Sequence, residues 1–235
     1  MDLRKVPNAD QLARDAAAFI REAADEAIRE RGQFTLALAG GSTPEKAYAI
    51  LAAPDWSKWH LFFGDERFVP RDDERSNFAM TQRSLLGRAA GAAVYPVPTE
   101  SATPADAASA YEKVLLDAFG GSPRFDLVLL GLGDDGHTAS LFPGKPALAA
   151  TNWVTSSGPG VLPPPVDRVT LTFPAINAAR KVLFLVAGSN KAEALRDVLG
   201  GHINADRRPA AGVHPTDGTL TWMVDEAAAG LLSVG

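Results

Sequence analysis

The sequence predicts an α/β protein in which helices flank both faces of a mostly parallel β-sheet. Short apolar stretches of strand length alternate with amphipathic stretches of helix length through most of the 235 residues. Such alternation is typical of a parallel sheet covered by helices. No repeat, low-complexity tract or shift in composition marks a linker, so we expect a single domain over residues 1–235.

In the first half of the chain, apolar residues at helical spacing predict a long first helix, with Asn8 and Asp10 available as caps and Gly32 as its end. A later helix carries Tyr111 and Leu115 on one face. The elements predicted here are a helix over Asp10 to Arg31, a strand over Phe34 to Ala39, a helix ending near Ala52, a strand over His60 to Phe63, a polar loop, a helix over Ser76 to Leu86, a strand over Val94 to Val97 and a helix over Pro104 to Phe119.

In the second half, apolar runs predict strands that can be buried on both faces. The elements predicted here are strands over Phe125 to Gly131, Trp153 to Thr155, Arg168 to Phe173 and Val182 to Ala187, a helix over Ser189 to Leu199, a strand over Leu220 to Val224 and a closing helix over Asp225 to Leu232. A Gly/Pro-rich loop from Gly158 to Pro165 separates the second and third of these strands.

Composition excludes several classes of function. Hydrophobic residues make up 46% and charged residues 22% of the chain, which is ordinary for a soluble globular protein. The net charge of -5 argues against nucleic-acid and membrane partners. Without cysteine there is no disulfide, thiolate metal site or cysteine nucleophile. The first residues do not resemble a signal peptide, and no apolar run approaches the ~20 residues that span a bilayer, so we expect a cytoplasmic protein.

The stretch from Phe125 to Gly144 is the most informative, because an apolar run ends in a glycine-rich turn that presents Asp134, Asp135 and His137. Open α/β sheets bind ligands at this end of their strands. The turn matches the dinucleotide pattern G-x-G-x-x-G, which we reject. Two aspartates would repel a pyrophosphate, the unit lies in mid-chain, and no acidic residue follows at ~20 residues.

Two interpretations of His137 remain open from the residues alone. In the first, the imidazole accepts a proton from water at neutral pH while a nearby carboxylate orients the ring. The residues alone do not show whether Asp134 or Asp135 is that carboxylate. Alternatively His137 caps the following turn while the aspartates bind loop amides. A metal site is disfavoured, because no partner histidine or carboxylate pattern completes a ligand set with Asp-x-His.

Other segments offer contacts for an anion. Gly40, Gly41, Ser42 and Thr43 lie between a strand and a helix, where Thr43 as N-cap and Pro44 at the first helical position would leave free amides at a positive helix end. Taken alone, this loop is better explained as a plain turn between strand and helix, and it is not a Walker loop.

Three cations add to this loop. Arg67 follows a strand and can hold a phosphate bidentately, or form a surface salt bridge with Asp65, Glu66 or the acidic run 72–74. Arg168 and Lys191 also lie at element boundaries. Together with His137, the cations and the loop predict a pocket for a phosphorylated substrate. We expect the other histidines to be structural or exposed and the four tryptophans to lie in the core or at its boundary.

These residues resemble the 6-phosphogluconolactonase family. The blocks that carry the resemblance run in order through nearly the whole chain, namely Leu38 to Pro44, Gly64 to Pro70 with Ser76 and Asn77, Leu130 to Gly144, Arg168 to Thr172, Val186 to Gly188 before Lys191, and Leu220 to Asp225. The resemblance implies a Rossmann-like fold of the glucosamine-6-phosphate deaminase and ribose-5-phosphate isomerase group. It also implies hydrolysis of 6-phosphoglucono-1,5-lactone without a cofactor or metal.

The resemblance also implies roles for site residues. His137 would deprotonate the attacking water, and Asp135 would orient the imidazole of His137. Arg67 would help to stabilise the oxyanion. Arg67, Arg168 and Lys191 would line the phosphate and lactone pocket with residues 40–43. The expected partner is a small phosphorylated sugar lactone, and no obligate protein partner is evident.

Two rival functions belong to the same fold. Glucosamine-6-phosphate deaminases resemble this chain around Asp-Gly-His but continue with Ile-Ala-Phe-Asn-Glu-Pro, whose glutamate serves ring opening. Here the continuation, residues 138–143, contains no carboxylate. The other rival is a non-catalytic sugar-phosphate sensor, which usually carries a DNA-binding module. No helix-turn-helix or basic extension is apparent in this sequence.

Overall fold

A computed structural model of the chain describes residues 1–159, 165–201 and 204–232. The strands in this part of the chain are β1 (Asp2–Val6), β2 (Phe34–Leu38), β3 (Trp59–Phe63), β4 (Asp65–Arg67), β5 (Ala93–Tyr95), β6 (Leu127–Leu130), β7 (Val154–Ser157), β8 (Arg168–Leu171), β9 (Lys181–Val186) and β10 (Thr219–Asp225). The α-helices are α1 (Ala9–Arg31), α2 (Ser42–Ile50), α3 (Asn77–Ser84), α4 (Pro104–Phe119), α5 (Phe173–Asn177) and α6 (Ala192–Leu199).

Seven strands form one sheet in the order β1-β10-β9-β6-β2-β3-β5, and every neighbouring pair in it is parallel. The other three form a small antiparallel sheet in the order β4-β8-β7. The predicted α/β fold, a mostly parallel sheet flanked by helices, is confirmed.

The core lies around the middle of the large sheet. Every residue of β2 and β6 is buried, as is all of β9 after its first residue, which explains why these strands are continuous apolar runs. Trp56, Trp59 and Trp222 are buried, and Trp153 packs partly buried against the same core. The expectation for the tryptophans is confirmed.

Helix ends follow the predicted capping chemistry in one case and not in another. The Asn8 side chain accepts hydrogen bonds from the backbone of Asp10 and Gln11, and Gly32 ends α1 in the left-handed conformation. The prediction that Thr43 is the N-cap of the second helix is wrong. That helix begins at Ser42, and its N-cap is Gly41, whose φ of 99° a glycine adopts without strain.

Four other element predictions need correction. The exposed edge strand β1 was not predicted, because its residues are mostly polar and outward-facing. The strand expected over Arg168 to Phe173 ends at Leu171, and Phe173 begins a short helix. The helix expected from Ser189 begins as a 3-10 turn over Ser189–Lys191. The closing helix is wrong, because Asp225 ends a strand and only a 3-10 turn follows, over Ala228–Leu231.

Two of the other three histidines, His60 and His214, lie in the described part of the chain. His60 is half-buried and contacts the Tyr95 hydroxyl, while His214 is exposed. His202 and residues 160–164 of the Gly/Pro-rich loop lie outside the described residues. No helix in the described part of the chain is both long and apolar enough to cross a membrane.

The strand β4 lies where a polar loop was expected, and a buried carboxylate holds it there. The Glu66 side chain is 2% exposed and accepts hydrogen bonds from the backbone N–H groups of Arg67, Asn77 and Phe78 at 2.7 Å each. It also accepts from the Ser76 hydroxyl at 3.1 Å. Burial raises the pKa of Glu66, although the backbone hydrogen bonds act in the opposite direction. This carboxylate joins β4 to the first turn of α3.

We expect Glu66→Gln to lower the free energy of unfolding by about 1–3 kcal/mol, because an amide NH2 group would face donors that the carboxylate now accepts from. Urea denaturation of both proteins measures the change. Glu100→Gln is the matched control, since Glu100 is 66% exposed and only pairs with Arg71 at the surface. Equal unfolding curves for wild type and Glu66→Gln would contradict the structural role of this carboxylate.

Candidate active site

The carboxyl ends of four neighbouring parallel strands surround one cavity of about 550 Å³. Gly40 follows β2, Asp65 follows β3, Gly131 follows β6 and Lys191 follows β9, and all four line this cavity. Parallel strands end at the same edge of a sheet, so the segments that follow them meet there although they are distant in sequence. The cavity also contains His137, Asp135, Arg67 and Arg168.

The imidazole of His137 is oriented by Asp135. The Nδ1 atom lies 2.5 Å from the Asp135 carboxylate, which also accepts a hydrogen bond from the His137 backbone N–H at 3.0 Å. An ionised carboxylate can only accept, so Nδ1 carries a proton, and in the neutral form of the ring Nε2 has the free lone pair. Burial raises the pKa of Asp135, but the hydrogen bonds and charge of His137 outweigh it and hold this pKa below its usual value.

The turn that carries His137 is shaped by two glycines. A Cβ atom on Gly133 would overlap the imidazole ring and the Asp135 carboxylate, so only glycine fits beneath them. Gly136 lies between Asp135 and His137 with a φ of 81°. The buried Phe142 also packs against the ring, with its centroid 4.8 Å from that of the imidazole. The ring is therefore confined on several sides.

Asp134 and Asp135 diverge. Asp134 pairs with the Lys191 ammonium group and accepts a hydrogen bond from the Asn190 side chain at 3.0 Å. The hydrogen bond from Lys191 is the main cause that lowers the pKa of Asp134. Lys191 is thus held over the cavity by a carboxylate that is 64% exposed. The question that the sequence left open, which aspartate faces His137, is answered by the geometry in favour of Asp135.

Arg67 and Arg168 are direct cross-strand partners in the small sheet. Arg168 is buried, and its Nε atom has no hydrogen-bond partner among the described residues. Burial lowers its pKa, as does the nearby charge of Arg67, while Asp65 acts in the opposite direction. Arg67 donates to the Arg75 carbonyl rather than forming the surface salt bridge that was the alternative. Like charges placed opposite each other are destabilising, so this pair favours an anion in the cavity.

Asp65, Asn77 and Ser140 line the cavity but were not selected as site residues from the sequence. The Asp65 carboxylate accepts hydrogen bonds from the Ser140 hydroxyl at 2.7 Å and from the Asn77 side chain at 3.2 Å. All three lie inside the blocks that resembled a known family, and the only role considered for Asp65 itself was that of a salt-bridge partner of Arg67. The alternation of side chains along β4 is the signal that could have found Asp65, because it shares a strand face with Arg67.

The glycine loop contributes backbone rather than side chains. Gly40 and Gly41 line the cavity, whereas Ser42 is exposed and Thr43 is half-buried, and neither is among the lining residues. A Cβ on Gly40 would overlap the Asn77 side chain, so the loop approaches α3 closely. The buried Tyr48 hydroxyl accepts from the Ala39 N–H at 2.9 Å and donates to the Ala39 carbonyl at 3.0 Å. These two hydrogen bonds fix the start of the loop.

The part of the chain that the structure describes contains no cluster of three or more histidine, aspartate or glutamate side chains suited to a metal ion. The cavity instead combines one carboxylate-oriented imidazole, three cations and glycine backbone. Such an arrangement can bind an anionic molecule and move a proton at its surface.

Comparison with known proteins decides the family. A family model described as glucosamine-6-phosphate isomerases/6-phosphogluconolactonase matches residues 7–222. The chain belongs to this family. A curated family relative, a 6-phosphogluconolactonase from Synechocystis, is 44% identical over 211 residues, which cover 86% of each chain.

Solved structures agree with this assignment. A 6-phosphogluconolactonase from Trypanosoma cruzi superposes with a TM-score of 0.89 at 30% identity, over 99% of this chain and 97% of that one. A monomeric glucosamine-6-phosphate deaminase superposes with a TM-score of 0.83 at 23% identity, over 98% of this chain and 100% of that one, which shows the shared fold.

We expect Gly133→Ala to displace the imidazole from Asp135, because the added methyl group occupies the place of the ring. Proton NMR detects the change, since an Nδ1–H group that is hydrogen-bonded to a carboxylate gives a protected downfield resonance. The resonance is assigned to His137 by its loss in Asp135→Asn. The resonance should vanish in Gly133→Ala and persist in Gly230→Ala, where the methyl group meets no atom of the described residues within 4 Å. Its survival in Gly133→Ala would contradict the described packing.

Proposed function

We propose that the chain hydrolyses 6-phospho-D-glucono-1,5-lactone to 6-phospho-D-gluconate, the lactone-opening step of the oxidative pentose phosphate pathway. The observation that carries the proposal is the imidazole of His137, held through Nδ1 by Asp135 in a cavity that also contains three cations. Membership of the family, and the 6-phosphogluconolactonase that is 44% identical to this chain, support the choice of substrate. The cytoplasm as its compartment belongs to the same proposal.

In the proposed reaction, Nε2 of His137 takes a proton from water as the water oxygen attacks the lactone carbonyl carbon. The negative charge that develops on the carbonyl oxygen is stabilised by the Arg67 guanidinium group. Collapse of the tetrahedral intermediate breaks the bond between that carbon and the ring oxygen. The imidazolium returns its proton to the ring oxygen, which becomes a hydroxyl group. Asp135 keeps the ring in one tautomer and stabilises the imidazolium.

The phosphate group of the substrate is assigned to Arg168, Lys191 and the backbone of the loop that contains Gly40 and Gly41, with Ser42 and Thr43 at the start of α2 behind it. Free amides at a helix N-terminus favour an anion, and α2 begins at Ser42. Arg168 supports this role because it is buried and its Nε atom has no hydrogen-bond partner within the described residues. A cavity of about 550 Å³ lies within the usual range of small-molecule sites, roughly 300–1,000 Å³.

The decisive experiment measures acid release from freshly generated lactone, corrected for spontaneous opening. We expect wild type to exceed the blank and His137→Ala to lose about 100-fold or more in kcat, because a positioned general base contributes about that factor. His214→Ala, at an exposed histidine, serves as the control and should keep full activity. Wild-type activity equal to the blank would refute the function, and an active His137→Ala variant would refute the role of the base.

The same preparation separates the two rivals. Incubation with glucosamine 6-phosphate should release no ammonia above the blank, because residues 138–143 offer no carboxylate for ring opening. Ammonia release by wild type would favour the deaminase. Tight binding of a sugar phosphate without turnover of either compound would favour the non-catalytic sensor.

We expect Arg168→Ala and Lys191→Ala each to raise KM for the phosphorylated lactone by about 10-fold or more, with a smaller effect on kcat. A hydrogen bond to a charged group contributes about 1.5–3 kcal/mol, and uniform binding energy is expressed in KM. Steady-state kinetics with the phosphorylated and unphosphorylated lactones measure the effect, which should be confined to the former. Lys145→Ala, at an exposed lysine outside the cavity, should match wild type. Unchanged KM in both variants would remove them from the phosphate site.

A further inference from the structure

The segment of residues 206–210, outside the cavity, forms backbone hydrogen bonds to the loop that carries His137 at two points. The Ala210 N–H donates to the Gly136 carbonyl at 2.9 Å, and the Gly144 N–H donates to the Asp206 carbonyl at 3.0 Å. The first bond lies immediately before His137, and the second lies at the end of the same loop. Neither Ala210 nor Asp206 lines the cavity. The segment therefore supports the loop through residues that do not line the cavity.

Arg208 is the side chain of this segment that contacts the loop. Its aliphatic stem occupies the space in which a Cβ of Gly136 would lie, so the stem and the turn are in close contact. Its guanidinium group binds one Asp197 carboxylate oxygen through Nε at 3.1 Å and through a terminal nitrogen at 2.7 Å. Both side chains are mostly buried, with exposures of 23% and 14%. A forked, partly buried ion pair of this kind fixes the stem that it terminates.

The contacted glycine is the residue between Asp135 and His137. Its φ of 81° sets the direction in which the chain leaves Asp135 and enters His137. A displacement of this turn changes the relation between the carboxylate and Nδ1, which are 2.5 Å apart. Asp197 lies on α6, the helix that begins immediately after Lys191, and Lys191 pairs with Asp134 in the same turn. The His137 turn is therefore contacted directly by Lys191, the residue before α6, and indirectly by α6 through Asp197 and Arg208.

We infer that Arg208 and Asp197 are positioning residues for the imidazole of His137. The ion pair between them holds the aliphatic stem of Arg208 in contact with Gly136. Neither residue lines the cavity or contacts the reacting atoms. The kinetic part of this inference rests on the proposed function; the geometric part concerns the imidazole alone. Misplacement of a catalytic group lowers the rate steeply while the binding of remote substrate groups is unaffected. Loss of the ion pair between Arg208 and Asp197 should thus lower kcat and leave KM nearly unchanged.

The test compares Arg208→Met with Arg196→Met. Methionine keeps a flexible apolar stem over Gly136 but cannot bind Asp197. Arg196 also pairs with Asp197, at the other oxygen, yet its side chain is 51% exposed and belongs to the surface of α6. Both variants remove one cation from the same carboxylate, so a general effect of charge appears in both. The readouts are kcat and KM for lactone hydrolysis, and the downfield Nδ1–H resonance of His137.

We expect Arg208→Met to broaden or lose the Nδ1–H resonance and to lower kcat about 10-fold with KM within about twofold of wild type, and Arg196→Met to change neither. Arg208→Lys keeps a charge near Asp197 and should recover part of both signals. If Arg208→Met does not fold, Asp197→Asn carries the same two readouts. An unchanged resonance and kcat in Arg208→Met, or equal losses in Arg196→Met, overturn the inference. An inactive wild type whose resonance still depends on Arg208 refutes the lactonase proposal and supports the positioning of the imidazole.

Discussion

The carboxylate of Glu66 is the constraint on which the geometry of the cavity depends. Its four accepted hydrogen bonds turn one residue of β4 away from the cavity and into the first turn of α3. Because side chains alternate along a strand, Asp65 and Arg67 must then face the opposite way, toward the cavity. The same bonds hold the backbone of Asn77, whose side chain reaches Asp65 at 3.2 Å. A single buried acid thus orients a carboxylate, a cation and an amide that lie within 13 residues of one another.

The two sheets divide the work of the proposed site. The ends of the parallel strands supply the glycine loops, which bring backbone close to a ligand and carry His137 and Lys191. The small antiparallel sheet supplies Arg67 and Arg168, which its register places opposite each other. Neither set alone would bind and convert a phosphorylated lactone. The energetic cost of holding two guanidinium groups together is borne by the folded scaffold, so that an entering anion relieves a repulsion that already exists.

The sequence predicted most of the large sheet because several of its strands, such as β2, β6 and β9, are continuous apolar runs. Such runs can be recognised from neighbouring residues alone. The prediction failed where pairing is long-range. The strand β4 is three polar residues, and only its antiparallel partner β8, about 100 residues later, makes it a strand. The cavity cations were found because they lie at element boundaries, where Arg67 and Lys191 come after strands and Arg168 begins one. Arg208 was not, because its importance rests on contacts with Gly136 and Asp197, and no local pattern encodes such contacts.

The segment after His137 gives a physical reason to prefer hydrolysis to deamination. In the deaminase pattern, the fifth residue after the histidine is the glutamate that serves ring opening, and a proline follows it. Here the fifth residue is Phe142, followed by Pro143, and the phenyl ring is buried against the imidazole at 4.8 Å. A phenyl ring neither donates nor accepts a proton. Deamination with ring opening needs two groups that exchange protons with the sugar, whereas attack of water on a lactone needs one base, which then returns its proton to the leaving oxygen. The loop provides one imidazole and its orienting carboxylate, which matches the simpler requirement.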